Sequence, residues 1–448
     1  MNRKNAYLRT VAATMLTASL FVTACSASSS APVSKDDSTA PASAAAKKEP
    51  VELVVYHPFP ADWPEDQFFK TFGDPIQKKF PHIKIKYITG KLQDLITAGQ
   101  RIDLIYVSIG ASQANILDTG LQSDISPLIK KYNYDLGRLE PTMVDAARKM
   151  AGGNGIYGLP VYVPPSAIYY NKDLFDKFGV PYPKDGMTWD ELFEVSKKMT
   201  RSEGGASYYG FGSSYNHLAL MNQQSIPLVT SDKQATLDKD DRWKSFTDNL
   251  LRFYRLPGYE VFKTNQLSEP YERNRFFKDR NVAMFLATTA LHNETEVGDM
   301  NFDIASFPVF KDTPQAGPQP YPVYWYITSQ AEKRDDAFEA ISYLTSDEYQ
   351  LKNIKEGNFL SALSNKSIRE QFGTDNKLYK GKNVKALQPT NYSQLGSFNK
   401  YNSIVSGELN VGIRESVTNK KDTNTVLREA AERANKKIQE QEAANVKK

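Results

Sequence analysis

Cysteine is almost absent. Cys25 stands alone among 448 residues, which excludes an internal disulfide and any cysteine-built metal cluster. Histidine is nearly as scarce: His57, His82, His217 and His292 lie far apart and form neither an HxxxH nor an HExxH pair, so no histidine zinc site is legible. Net charge is missing from the body. The chain carries 56 Lys+Arg against 52 Asp+Glu. Three of those cations, Arg3, Lys4 and Arg9, fall in the first 24 residues beside no acid, and without them the balance is 53 to 52. A near-neutral body excludes a nucleic-acid binder that works by neutralising phosphates. No G-x-S-x-G elbow exists, no fixed-period repeat appears, and no apolar run reaches the 18 or so residues of a spanning helix.

What is present begins at the N-terminus. A basic start, Met1-Asn2-Arg3-Lys4, leads into an uncharged stretch over 11–24 that ends Val22-Thr23-Ala24 before Cys25. A basic region followed by a short apolar core is the layout of an export signal, and fourteen residues are too few to span a bilayer. The last four residues resemble a bacterial lipobox. That resemblance implies a signal peptide over 1–24 and lipidation of Cys25, several acyl chains on one residue holding the protein to a membrane. Residues 26–50 contain seven Ser, seven Ala and three Pro and no aromatic, so 25–50 reads as a disordered tether.

The body alternates strand and helix signals. Val51-Glu52-Leu53-Val54-Val55-Tyr56 is a strand, 66–79 a helix, and His82-Ile83-Lys84-Ile85-Lys86-Tyr87 a half-exposed strand by its strict alternation. Helix 91–98 precedes Ile102-Asp103-Leu104-Ile105-Tyr106-Val107, a run typical of a strand buried on both faces. Further strands are read at 167–170, 282–287, 302–307 and 323–327, with helices at 242–254, 335–344 and 425–441. Thr188 and Glu191 stand at capping-box spacing. The order predicts an α/β fold with mixed, mostly parallel sheets flanked by helices.

Gly153-Asn154-Gly155-Ile156-Tyr157-Gly158 spells G-x-G-x-x-G, but Leu159-Pro160 and Pro164-Pro165 follow and no helix can start there, so the phosphate cradle is excluded. Asp238, Asp240 and Asp241 lack the glycine and distal glutamate of a calcium loop. No cofactor or metal is expected.

The stretch Gly155-Ile156-Tyr157-Gly158-Leu159-Pro160, then Ile168-Tyr169-Tyr170-Asn171-Lys172-Asp173-Leu174-Phe175, Phe178-Gly179-Val180 and Thr188-Trp189-Asp190-Glu191, resembles the family 1 extracellular solute-binding proteins. These are the sugar-binding subunits of ATP-binding-cassette importers, with maltose-binding protein a distant relative. Asn281-Val282-Ala283-Met284, Phe302-Asp303-Ile304-Ala305-Ser306-Phe307-Pro308 and the aromatic block at 324–327 follow in the expected order. The resemblance implies a two-lobe periplasmic-binding-protein-like fold (type II), its lobes joined by hinge crossovers. Lobe one would take 51–160 and 306–347, lobe two 161–305 and 348–448. It further implies a carbohydrate ligand held in the inter-lobe cleft, membrane permeases as partners, a monomer and no catalysis. Two other classes stay open: a cleft enzyme acting on glycans, which needs only two facing carboxylates, and a surface adhesin or scaffold.

Aromatics are abundant, with 25 Tyr, 23 Phe and 4 Trp. Sugar rings stack their C–H faces on aromatic planes while their hydroxyls need polar partners. The loop after the first strand supplies His57, Phe59, Asp62 and Trp63, at the carboxyl end of a strand where α/β folds bind ligands. Ser108 and Gly110 follow the buried third strand, and glycine admits close backbone approach. In the second half the candidates are Tyr162, just past the first crossing, and Tyr215, Asn216 and His217 in a glycine-punctuated aromatic loop. Tyr324 and Trp325 share a strand, where alternation sends the two to opposite faces. Many relatives carry Gly-Pro-Trp or Gly-Trp after the Ala-Met strand; here Ala287-Thr288-Thr289-Ala290 stands instead, which puts Thr288 where the stacking platform would be and His292 close behind.

Overall fold

A computed structural model describes residues 48–259, 267–288, 297–396 and 398–446. The signal stretch, Cys25 and most of the tether lie outside the described residues, as do Thr289, Ala290 and His292. Among the described residues no helix is long and apolar enough to cross a membrane.

Twelve strands are described: β1 (Val51–Tyr56), β2 (Ile83–Ile88), β3 (Leu104–Ser108), β4 (Gly158–Val163), β5 (Ser166–Asn171), β6 (Arg201–Glu203), β7 (Ala206–Tyr208), β8 (Gly212–Ser213), β9 (Met284–Thr288), β10 (Phe302–Ala305), β11 (Val323–Ile327) and β12 (Leu360–Ser361). They form a six-stranded sheet ordered β12-β4-β11-β3-β1-β2, a four-stranded sheet ordered β10-β5-β9-β8, and the ribbon β6-β7. Burial follows position. β3 and β11 lie inside the first sheet with helices on both faces, and β11 is buried at every residue. β2 is an edge, and it alternates: Ile83 and Ile85 are buried while Lys84 and Lys86 point to water, lysines that discourage pairing with another chain.

The sheets are mixed as the sequence predicts, though antiparallel pairings outnumber parallel ones. β1 pairs in parallel with β2 and β3, and β8 with β9. β4, β11 and β12 in the first sheet, and β5 with its two neighbours in the second, pair antiparallel. The antiparallel strands include those next to a connection between sheets: β4 leaves the first sheet through Pro164-Pro165 into β5, and β11 re-enters it after β10.

The chain returns to the second half later than the sequence boundary at 348 places it. The helix Asp347–Glu356 turns Tyr349, Gln350, Asn353 and Ile354 inward. Gln350 Nε2 donates to the Val161 carbonyl at 2.9 Å and Tyr349 Oη to the Thr71 carbonyl at 3.0 Å. β12 then pairs with β4, so this segment belongs with the first sheet. Its buried polar anchors on a segment of ordinary helical pattern left no sequence signal. The connections at 163–166, 318–321 and 387–392 line one narrow space together, and Ser393 bonds back to Pro318 and Gly317.

The second half is capped by two C-terminal helices, Asn402–Thr418 and Thr423–Val446. Val405, Leu409 and Ile413 of one face Val426, Ala430 and Ala434 of the other, all buried. Gly412 permits this approach, since a Cβ there would lie 2.8 Å from Val426 Cγ1. The helix Trp189–Met199 opens with the capping box read from sequence: Thr188 Oγ1 accepts from Glu191 N and the Glu191 carboxylate accepts from Thr188 N.

Candidate functional site

The carboxyl ends of four strands carry the candidate residues. β1 runs into the loop 57–63 and β3 ends at Ser108 in the first sheet; β8 ends at Ser213 and β9 at Thr288 in the second. Loops at strand carboxyl ends are where open α/β sheets hold ligands.

His57 is buried against Tyr106, the two rings stacked at 4.1 Å and 8°. Its Nδ1 lies 2.8 Å from the Tyr106 carbonyl oxygen. A carbonyl only accepts, so Nδ1 carries the proton and Nε2 keeps its lone pair. Burial pushes the imidazole pKa down to about 4, so the ring is neutral at pH 7, and buried Nε2 has no hydrogen-bond partner among the described residues. Phe59 packs its edge on His57 at 5.8 Å and is 47% exposed, a ring offered to solvent at the mouth of the loop.

Asp62 is exposed by area yet its carboxyl is raised by the protein around it, with the Arg273 guanidinium pulling it back. Both hold together on a cleft wall, where water reaches a group that is ringed by protein. Arg273 comes from the helix Glu269–Phe277 beside β9, so this interaction runs from one half to the other. Arg273 also pairs with Glu269 at 3.2 Å.

Between the halves sits Tyr321, on the segment joining β10 to β11. Its hydroxyl accepts from Ser108 Oγ at 3.3 Å, and its ring meets His217 edge-on at 5.6 Å. Gly110 touches the same hydroxyl: a Cβ built there would stand 2.2 Å from Tyr321 Oη and 3.1 Å from Leu220 Cδ1. His217 is neutral too, its pKa lowered by burial to about 4, with Nδ1 buried and unpartnered among the described residues. Beyond Gly110 and Leu220 lies a cavity of about 90 Å³, partly open to solvent, walled by Ile109, Gly110 and Gln113 on one side and Leu220, Ile226 and Leu228 on the other.

The structure brings Ser108, Gly110 and His217 together around Tyr321, and Phe59 and Asp62 at the loop that faces Arg273. Asn216 and Thr288 are half-buried, Thr288 at the end of β9 opposite Ser166. The other aromatic candidates are packing residues. Trp63 is buried, its Nε1 donating to Tyr162 Oη at 3.0 Å, and Tyr162 stacks on Phe359 at 4.8 Å. Tyr215 bonds Thr247 in the second core at 2.8 Å. Tyr324 donates to the Met143 carbonyl at 2.7 Å, and Trp325 stacks on Tyr106 at 4.7 Å. The reason is common to the last two: β11 lies inside a sheet covered on both faces, so alternation gives two buried sides.

Tyr321, Arg273 and Gln113 were not read from the sequence. Tyr321 lies in Pro320-Tyr321-Pro322, an aromatic between prolines just before a strand, which is a usable signal. Arg273 sits in a helix crowded with charges and Gln113 in an unremarkable polar turn, and neither has one.

Behind the site, fully buried Glu272 accepts from Leu267 N at 3.2 Å and from Arg275 Nη1 at 3.0 Å. Leu267 has φ of 67°, a left-handed backbone unfavourable for a branched residue, and its carbonyl accepts from Tyr215 N at 3.1 Å. Burial raises the Glu272 carboxyl, opposed by Arg275. For metal ligation, the one group among the described residues is His82, Asp336 and Glu339, with ligand atoms within 4.8 Å of one another. It lies away from the cleft, where His82 Nε2 and Asp336 Oδ1 are 3.0 Å apart as a pair joining β2's approach to the helix Arg334–Leu344.

Comparison with known proteins matches residues 60–351 to the family model described as bacterial extracellular solute-binding protein. An uncharacterized ABC transporter extracellular-binding protein of Pyrococcus horikoshii is 28% identical over 187 residues, 39% of this chain and 40% of that one. The arabinooligosaccharide-binding protein of Bacillus subtilis is 26% identical over 40% of this chain and 43% of its own; the chain thus aligns with less than half the length of each of these two. Among solved structures, an ABC substrate-binding protein of Listeria monocytogenes in complex with cycloalternan superposes with a TM-score of 0.68 at 18% identity, covering 87% of this chain and 99% of that one.

Proposed function

The chain belongs to the bacterial extracellular solute-binding proteins, and from that premise we propose that it is the carbohydrate-binding subunit of an ATP-binding-cassette importer. The observation that carries the reading is the shared wall of the cleft: Ser108 and Gly110 from one half and His217 and Leu220 from the other converge on Tyr321 beside a cavity between them. The names of the relatives, which bind arabinooligosaccharide or cycloalternan, support a sugar.

The mechanism is closure without chemistry. A solute in the open cleft meets groups of one half, and closing brings those of the other. Only contacts made by both halves at once favour the closed form, because a ligand shifts an equilibrium by its differential affinity for the two states. Phe59 offers a stacking face, while Asp62, Ser108, Asn216 and Thr288 offer polar partners to hydroxyls. The closed complex then docks on membrane permeases. The lobes of this reading are 51–163 with 323–387, and 166–305 with 394–446, hinged where three connections run side by side. The sequence Val22-Thr23-Ala24-Cys25 supports a lipid anchor on Cys25 at the outer face of the cytoplasmic membrane, with 26–50 as leash and the body a monomer.

A thermal-shift screen against a carbohydrate library tests this. A binder at 100-fold excess over its dissociation constant gains about 2.7 kcal/mol. For the sugar that registers, Gly110→Val weakens binding at least tenfold, because the added carbon drives the 108–110 wall off Tyr321 and Leu220. Silence across a library that includes uronates and peptides, or release of reducing ends from an oligosaccharide, contradicts the reading.

A further inference from the structure

His82, Asp336 and Glu339 meet at the opposite end of the first sheet from the candidate site. His82 stands at the amino end of β2, whereas the loop 57–63 leaves the carboxyl end of β1, its parallel neighbour. The strand between those ends spans roughly 20 Å at about 3.3 Å per residue. His82 and Asp336 are 254 positions apart in the chain, so no local motif marks the group.

Both backbones that carry it are fixed. The His82 carbonyl accepts from Val51 N at 2.8 Å, and Ile83 N closes the preceding turn on the Phe80 carbonyl at 2.9 Å. Asp336 and Glu339 lie one turn apart on the helix Arg334–Leu344, whose Ala337, Phe338, Ala340, Ile341 and Leu344 are buried. The three side chains are half-buried, and their ligand atoms lie within 4.8 Å of one another. Bases on the surrounding elements have partners elsewhere. Lys131 and Tyr132 bond Asp335 at 2.5 and 3.0 Å, and Lys79 pairs with Glu348 at 2.9 Å. Arg334 donates to Ser123 Oγ at 2.7 Å and to the Asp124 carbonyl at 3.1 Å.

The spacing suits an ion. Zinc bonds nitrogen and carboxylate oxygen at about 2.0–2.2 Å in a tetrahedron, which sets its ligand atoms roughly 3.4 Å apart. His82 Nε2 and Asp336 Oδ1 already stand at 3.0 Å, so a cation enters where a proton now bridges them, with a small widening. Glu339, with three side-chain torsions, closes the remaining gap. The donor set selects the ion: imidazole suits zinc and its neighbours, while calcium and magnesium take oxygen alone.

We propose that His82, Asp336 and Glu339 bind one divalent cation of zinc's class, with water as the fourth ligand, and so staple the entry of the edge strand β2 to the helix Arg334–Leu344. The role is structural, and it does not depend on the carbohydrate reading.

The full chain, freed of metal by chelation, is titrated calorimetrically with Zn²⁺ alone, and its thermal unfolding is followed with and without the ion. The expected result is one ion per chain and a higher unfolding midpoint, with Ca²⁺ at the same concentration giving neither. His82→Gln keeps a donor for Asp336 but loses the imidazole, and it weakens Zn²⁺ binding at least tenfold while removing most of the rise in midpoint. Glu339→Gln does the same and serves if the first variant fails to fold. Absence of binding, Ca²⁺ held more tightly than Zn²⁺, or less than a tenfold loss in a folded variant overturns the proposal.

Discussion

A single hydrogen bond decides the chemistry of His57. Because its Nδ1 faces a carbonyl, the neutral ring must present an unprotonated Nε2. Linkage then fixes how this residue acts on stability. The unfolded imidazole titrates near its ordinary 6.5 and the folded one near 4, so between those values the unfolded chain holds more protons. The contribution is complete above pH 6.5 and is lost as pH falls towards 4; His217 follows the same course. Glu272 runs the other way. Its carboxyl is raised in the folded state from 4.5 towards about 7, so its contribution is present below 4.5 and fades as pH rises through that window. Glu272→Gln removes the opposing slope, and stability measured by urea unfolding between pH 4.5 and 6.5 rises more steeply in the variant than in the wild type. Equal slopes contradict the assignment. At this scale the sequence offered candidates where chemistry is local: His57 and Ser108 stood out by their place after strands, and His217 by its glycine-punctuated aromatic surroundings. Arg273 did not, because what distinguishes it is Asp62, more than two hundred residues away, and Gln113 did not, because nothing in its local pattern marks its burial.

At the scale of elements, period and caps carried the reading. The strand over 323–327 has the bounds the sequence predicts, and the capping box at Thr188 and Glu191 forms with both of its hydrogen bonds. The helix read over 66–79 begins one residue earlier and contains a wider π turn over Phe69–Gly73. Elements were legible and their sides were not. Tyr324 and Trp325 alternate as a strand must, yet neither faces a cleft, because exposure depends on which layers cover the sheet. Trp325 lies at 0% exposure between Tyr106 and Phe68, stacked at 4.7 and 6.4 Å. Trp325→Ala accordingly costs about 3–5 kcal/mol, the usual loss for a large buried ring, and leaves sugar affinity per folded molecule unchanged. Thr188→Ala, which removes one cap at the surface, costs far less. Chemical denaturation of the two variants checks the order; a Trp325→Ala variant of normal stability and lost binding returns this residue to the site.

The whole molecule adds what no element contains: the path between the halves. The sequence boundary at 160–161 falls a few residues before the connection at Pro164-Pro165, but the late return near 387–392 was not legible, because the segment that delays it is anchored by Gln350 on Val161 and by a two-residue strand. These are contacts across nearly two hundred residues, and local pattern does not encode them. The three connections run side by side; on the proposed reading they are the hinge, with the Ser108–Tyr321–His217 meeting point where the halves would close. Small-angle scattering of the full chain, with and without a saturating concentration of the sugar identified by titration, tests this most directly. The account predicts a smaller radius of gyration with ligand bound, and no such shift in Gly110→Val at the same sugar concentration. An unchanged radius in the wild type at proven saturation would contradict it.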